Sequence, residues 1–133
     1  MEVVLDATAL IAYLKKENGF EKVQEKFIKA SETNKNILMS TINWGEVIYL
    51  IIKHEGIEEA EKIQKVIDTF PIKLVEPDPI ITKQAALYKA IKKLPYVDSF
   101  AAAMTKINEG ELVTGDNDFK LVQDEIKIIW IKN

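Results

Sequence analysis

EVVLDATALIAYL, residues 2–14, sets an apolar strand against an apolar helix with one carboxylate between them. Val3-Val4-Leu5 is β-branched, brief and uninterrupted, the pattern of a strand buried on both faces. Thr8–Lys16 follows at helical spacing, with Ala9, Leu10, Ala12, Tyr13 and Leu14 supplying its apolar side. Asp6 at the joint has two readings. It caps the helix, or it belongs to a site built to hold something positive, because a buried charge without a partner changes its pKa rather than stay ionised.

The same alternation continues outward along the chain. Phe20–Glu32 is an amphipathic helix, with Phe20, Val23, Phe27 and Ile28 on one face. Ile37–Met39 is a second strand, and Ser40 or Thr41 caps a helix over Asn43–His54 that ends at Gly56. Glu58–Thr69 is helical, Ile72–Val75 is a third strand, and Asp78-Pro79 opens a helix running to about Lys93. Asp98–Asn108 is predicted helical, with Asp98 opening it, and Leu112–Thr114 is the fourth strand. GDNDF turns into a short helix, and Ile126–Ile131 is the last strand. Strands alternating with helices imply a three-layer α/β/α domain with a central, mostly parallel sheet, and residues 1–133 form a single domain.

Composition narrows the chemistry. Hydrophobic residues at 47 % and charged residues at 29 % are an ordinary globular balance. The absence of cysteine removes disulfides, thiolate metal sites and cysteine nucleophiles together. A net charge of −3 argues against a simple nucleic-acid coat, though not against an enzyme whose acidic centre is covered by a cation. All 18 basic residues are lysine, so bidentate guanidinium recognition of phosphate is unavailable. His54, the single histidine, reads as a helix-end residue, which speaks against a serine–histidine–aspartate hydrolase. No apolar run reaches the length of a membrane span and no basic leader precedes the first apolar segment. The expected location is the cytoplasm, although a cysteine-free chain suits a secreted protein equally.

Ligands of parallel sheets bind beyond the carboxyl ends of the strands, where the strand order reverses. Asp6 stands directly after strand one, and Asp116 two residues after strand four, with Asp118 two further on. Asp98 opens the helix before strand four, and Glu46 lies about one turn into the helix after strand two. Taken singly, Asp6, Asp98 and Asp116 are each explained as helix caps. Glu46 fits that explanation worst, since it lies within NWGEVIYLII beside the stripe of Trp44, Val47, Ile48 and Ile51. Clustered carboxylates repel by about 4 kcal/mol per pair at 4 Å and an effective dielectric near 20, so without a counter-ion one protonates or the cluster spreads. Oxygen ligands without histidine or cysteine select Mg²⁺ or Mn²⁺ over zinc. Such an ion acidifies a water and stabilises a leaving oxygen in phosphodiester displacement, chemistry that requires neither histidine nor arginine.

VVLDATALIAYL, NWGEV, YVDSFAAA and LVTGDNDF, in that order and spacing, resemble the PIN-domain nucleases, and within them the VapC-type toxin ribonucleases. The resemblance covers nearly the whole chain. It implies that Asp6, Glu46, Asp98 and Asp116 form the acidic quartet that holds Mg²⁺ or Mn²⁺, with Asp118 the additional acid beside the fourth. It places Thr8 and Thr114 as hydroxyls that orient a carboxylate or a water, while Asn43, one turn before Glu46, is suited to hydrogen-bond that carboxylate. Ala7 departs from the serine or threonine frequent in the family, which puts one minor hydrogen bond in doubt. The resemblance further implies an RNA substrate, a small cognate antitoxin that blocks the metal site, and a homodimer. Helices 8–32 and 41–69 carry the apolar residues for a core and an interface. Lys15, Lys16, Lys92 and Lys93 are candidates for phosphate contacts around the acidic cleft. Three alternatives remain open at this point: a housekeeping PIN nuclease processing ribosomal or transfer RNA, a receiver-like signalling module with Mg²⁺ at a sheet edge, and a scaffold without catalysis.

Overall fold

The computed structural model describes residues 1–132. Five strands, β1 (Val3–Leu5), β2 (Ile37–Ser40), β3 (Ile72–Val75), β4 (Glu111–Thr114) and β5 (Lys127–Trp130), form one sheet in the order β3-β2-β1-β4-β5. Every pairing is parallel, so the sheet expected to be mostly parallel is wholly so. A receiver domain has the order 2-1-3-4-5. That alternative is excluded by topology.

Six α-helices connect the strands: α1 (Ala7–Lys15), α2 (Phe20–Thr33), α3 (Thr41–Glu55), α4 (Ile57–Ile67), α5 (Pro79–Lys92) and α6 (Tyr96–Ile107). A 3₁₀ helix, Asn117–Val122, joins β4 to β5. The period-two alternation of the strands decides the layers. Leu5, Ile37, Met39 and Val113 meet side chains of α1 to α4 on one face. Val4, Leu38 and Leu112 meet α5, α6 and the 3₁₀ helix on the other. Each large side chain fully buried this way contributes roughly 1.5–3 kcal/mol. On the first face Tyr13, Phe27 and Phe70 stack edge-on or tilted at 4.8–5.3 Å between centroids, locking α1, α2 and the turn before β3 together.

The most enclosed element is α6, whose residues 99–105 are all buried. Three consecutive alanines, Ala101 to Ala103, present no bulk, so the helix lies between the sheet, α3 and α5. It starts two residues earlier than the sequence suggests. Pro95 holds the N-cap place with φ −54° and ψ 144°, and the Ser99 hydroxyl bonds back to the Pro95 carbonyl at 3.0 Å. Asp98 is therefore a first-turn residue of α6 and not its opening cap, a place where the helix dipole favours an anion. His54 is exposed in the last turn of α3, in the helix-end role expected of it. Among the described residues no helix is long and apolar enough to cross a membrane.

Candidate metal centre

The strand order reverses between β1 and β4, which opens a crevice at their carboxyl ends. Leu5 pairs with Val113, so the two strands finish in step and the Asp6 N–H donates to the Val113 carbonyl at 3.4 Å. Asp6 does both things its sequence position allows. It caps α1, accepting the Ala9 N–H at 2.9 Å, and it faces the crevice carboxylates with only 2 % of its surface exposed. Thr114 Oγ1 donates to its Oδ2 at 2.6 Å, and Thr8 Oγ1 lies 2.9 Å from both of its oxygens. Burial pushes the Asp6 carboxyl up to about 6 despite these hydrogen bonds, and the charge of Asp116 adds to the rise.

The turn after β4 is built around the same two hydroxyls. Thr114 Oγ1 accepts the Asp116 N–H at 3.0 Å, and Thr8 Oγ1 accepts the Gly115 N–H at 3.1 Å. Asp116 in turn caps the 3₁₀ helix, taking the Asp118 N–H at 2.9 Å. Thr8 and Thr114 thus join Asp6 to the backbone that carries Asp116. The sequence motifs show the residues, but not that one hydroxyl serves both acids.

The other two acids arrive on packed helices. Burial pushes the Asp98 carboxyl up to about 7, and the charges of Asp116, Asp6, Glu46 and Asp118 reinforce it, in that order. Glu46 on α3 is half-buried and raised by burial, then by Asp116. Asn43 is buried at 1 % exposure, but the bond expected from it to Glu46 is not made. Its Nδ2 donates to the Val97 carbonyl at 3.1 Å, which ties α3 to the first turn of α6 beside Asp98. Its Oδ1 is buried without a hydrogen-bond partner among the described residues.

Oxygens of Asp98, Asp116 and Asp118 lie within 4.8 Å of one another. Like charges at that separation repel by about 3 kcal/mol per pair at an effective dielectric near 20. The arrangement fits a hard divalent cation: the donors are all oxygens, and no histidine or cysteine lies among them. The four candidate lysines stand at the C-terminal ends of α1 and α5. Lys15 and Lys16 end the nine-residue α1, about 13 Å along its axis from the cap at Asp6. Lys92 pairs with Asp124 at 3.0 Å and Glu125 at 3.8 Å, and Lys93 donates to the Ala90 carbonyl at 3.2 Å. These interactions come from α5 and the segment after the 3₁₀ helix, and sequence spacing does not show them.

No curated protein matches the sequence at a significant level. Solved structures do match the fold. A toxin–antitoxin complex from Klebsiella pneumoniae superposes with a TM-score of 0.75 at 15 % identity, covering 99 % of both chains. VapBC2 from Rickettsia felis, bound to a fragment of its promoter DNA, gives 0.76 at 16 % identity over 97 % of this chain and 98 % of that one. VapC20 from Mycobacterium tuberculosis, described as a toxin cleaving the sarcin–ricin loop, gives 0.63 at 16 % identity over 90 % and 93 %. At such identities the likeness establishes the fold. The family model of the PIN domain matches residues 3–125, nearly the whole length, and the chain belongs to the PIN domain family.

Proposed function

We propose that this protein is a Mg²⁺- or Mn²⁺-dependent endoribonuclease, the toxin of a toxin–antitoxin pair. The observation that carries the reading is the convergence of acids from four separate segments on the β1/β4 crevice, three of them with oxygens within 4.8 Å. Asp6, Glu46, Asp98, Asp116 and Asp118 would hold the cation. When bound, it supplies Lewis acidity to a phosphodiester and to the attacking water, and it neutralises charge as the leaving oxygen departs. Thr8 and Thr114 fix the Asp6 carboxylate, and Asn43 fixes the helix carrying Glu46 against the helix carrying Asp98. Burial and the neighbouring carboxylates make Glu46 and Asp98 costly to keep ionised without a counter-ion, which supports a cation at this place.

An RNA substrate and an antitoxin are supported by the similar structures, since VapC20 is a toxin that cleaves the sarcin–ricin loop and the Klebsiella pneumoniae structure is a toxin–antitoxin complex. A groove of about 280 Å³ between α1, α3 and α4, lined by Ile11, Leu14, Ile51, Ile63 and Val66, suits the apolar side of a partner segment. Exposed Ile80, Leu87 and Ile91 along α5 give a homodimer an apolar face. An RNA target implies a cytoplasmic protein.

The test is cleavage of single-stranded RNA by purified protein with Mg²⁺ or Mn²⁺, and its loss on chelation. Asp6→Asn and Asp98→Asn, purified identically to remove contaminating nucleases as an explanation, fold and lose most activity. Activity surviving chelation sinks the metal mechanism, and unimpaired variants sink the site. Co-expression with the small neighbouring gene tests the biology: growth arrest by this chain alone, relieved by that partner, is the expected result.

A further inference from the structure

A further cavity lies at the other end of the strands. It has a volume of about 490 Å³ and opens where β1, β2, β4 and β5 begin, beside the second half of α2. That size falls within the range of small-molecule sites, roughly 300–1,000 Å³. Its wall is unusually basic for a chain of net charge −3. Lys26, Lys29, Lys35 and Lys127 all line it.

The carboxylates at hand do not cancel these lysines. Glu111, at 7 % exposure, accepts from Lys26 at 2.7 Å and pairs with Lys127 at 3.3 Å, so one anion serves two cations. Lys35 pairs with Glu2 at 3.1 Å, and Lys29 has no ion-pair partner among the described residues. Four ammoniums against two carboxylates leave an excess of two positive charges. Burial pushes Glu111 up, but the bonds and charges of Lys26 and Lys127 outweigh it and hold the carboxyl below its ordinary range. At the end of α2 the Ala30 and Ser31 carbonyls accept the N–H groups of Asn34 and Lys35.

The rest of the wall is not ionic. Val3, Ala30 and Ile37 offer an apolar surface, and the exposed Asn36 amide stands at the rim. Ammoniums bind phosphate as point charges, whereas an apolar floor with a nearby amide suits a heterocyclic base. We infer that this cavity binds a phosphorylated nucleoside, either a free nucleotide or the phosphate-bearing end of an RNA strand. The site is built from residues outside the carboxylate crevice and requires no metal.

The experiment is titration calorimetry on the full chain in EDTA, which silences the crevice. The probes are adenosine 5′-monophosphate, adenosine, inorganic phosphate, and a short 2′-O-methyl RNA with either a 5′-phosphate or a 5′-hydroxyl. Saturable binding of the monophosphate at one site per chain is expected, at least about tenfold tighter than adenosine or phosphate alone and weakened by salt. The double variant Lys29→Glu/Lys35→Glu, both positions exposed, weakens it about tenfold or more. Lys29→Gln, which breaks no ion pair among the described residues, weakens it several-fold and guards against a folding defect in the double variant. Equal affinity for the free monophosphate and the phosphorylated RNA assigns a free nucleotide. Tighter binding of the phosphorylated RNA, lost with a 5′-hydroxyl, assigns an RNA end. Absence of saturable binding by both, equal affinity for inorganic phosphate alone, or indifference to the lysine variants overturns the inference. RNA cleavage is unaffected by that failure, and a failure of cleavage leaves these titrations standing.

Discussion

Replacing Asp98 by asparagine should stabilise the metal-free fold while removing activity, because the carboxylate is held where it is electrostatically unwelcome. Its oxygen lies within 4.8 Å of those of Asp116 and Asp118. Each such pair repels by about 3 kcal/mol at an effective dielectric near 20. Asp118 is exposed and Asp98 and Asp116 are partly so, and solvent screening reduces the net gain on removal to the order of 1–2 kcal/mol. The pH dependence carries the sign. Asp98 titrates near 7 in the fold against an ordinary 3.8, so between these values the folded chain binds the proton more tightly than the unfolded one. Stability of the parent therefore falls as pH rises through that window and stays low above it. Asparagine has no such window. Urea unfolding in EDTA, followed by tryptophan fluorescence, should show the variant unfolding at higher urea at about pH 8, the gap closing toward about pH 4. Saturating Mn²⁺ should reverse the order, since ligand at a hundred times its Kd adds about 2.7 kcal/mol to a state that binds it. A variant less stable than the parent in EDTA at high pH, or a gap that ignores pH, refutes the reasoning.

Three further outcomes follow from particular contacts. Thr114→Val leaves the Asp116 N–H without a partner and Asp6 Oδ2 with Thr8 alone, and should cost about 1–3 kcal/mol in the urea midpoint; an unchanged midpoint means the bonds carry nothing. Gly19 has φ +93°, and a Cβ there stands 2.1 Å from the Ile131 carbonyl oxygen, so Gly19→Ala should lower the thermal midpoint by more than the roughly 1 kcal/mol of an unfavourable φ alone. Glu111→Gln strips the anion from Lys26 and Lys127. Because the Glu111 carboxyl is held low, its stabilisation is present above its ordinary pKa and lost as pH falls through the depressed value, so the variant's deficit in urea should be visible at neutral pH and shrink in acid.

The fold was legible because each βα joint is written locally. Val3–Leu5, Ile37–Ser40 and Ile72–Val75 are short apolar strands whose helices begin within a few residues of their ends, and that alternation admits little besides a parallel sheet between two helical layers. Strand order was another matter. Nothing in any single strand states that β1 pairs with both β2 and β4, since that depends on which helices cross to which face. Boundaries slipped where a backbone property competed with a side-chain preference. Asp98 looks like a cap, but Pro95, with its fixed φ and no N–H to leave unpaired, starts the helix ahead of it.

The acids were legible for a reason the lysines were not. A carboxylate that must be partly dehydrated leaves a mark in sequence, because it interrupts apolar runs at strand ends and on a packed helix, as Asp6 and Glu46 do. A lysine leaves no such mark. Its long stem lies along any surface and its charge finds whichever anion the fold brings near, so Lys92 reaches Asp124 and Lys26 reaches Glu111 across 85 positions of sequence. The opposition between cap and site at Asp6 also dissolves on the same ground. Capping uses one lone pair, on Oδ1, for the Ala9 N–H, while Thr114 takes Oδ2. An oxygen fixed by donors on one side is a better ligand on the other, because its orientation is already set before a cation arrives. Strand end, helix cap and crevice acid are then one residue serving one geometry, and removing the cap should loosen the centre as surely as removing the charge.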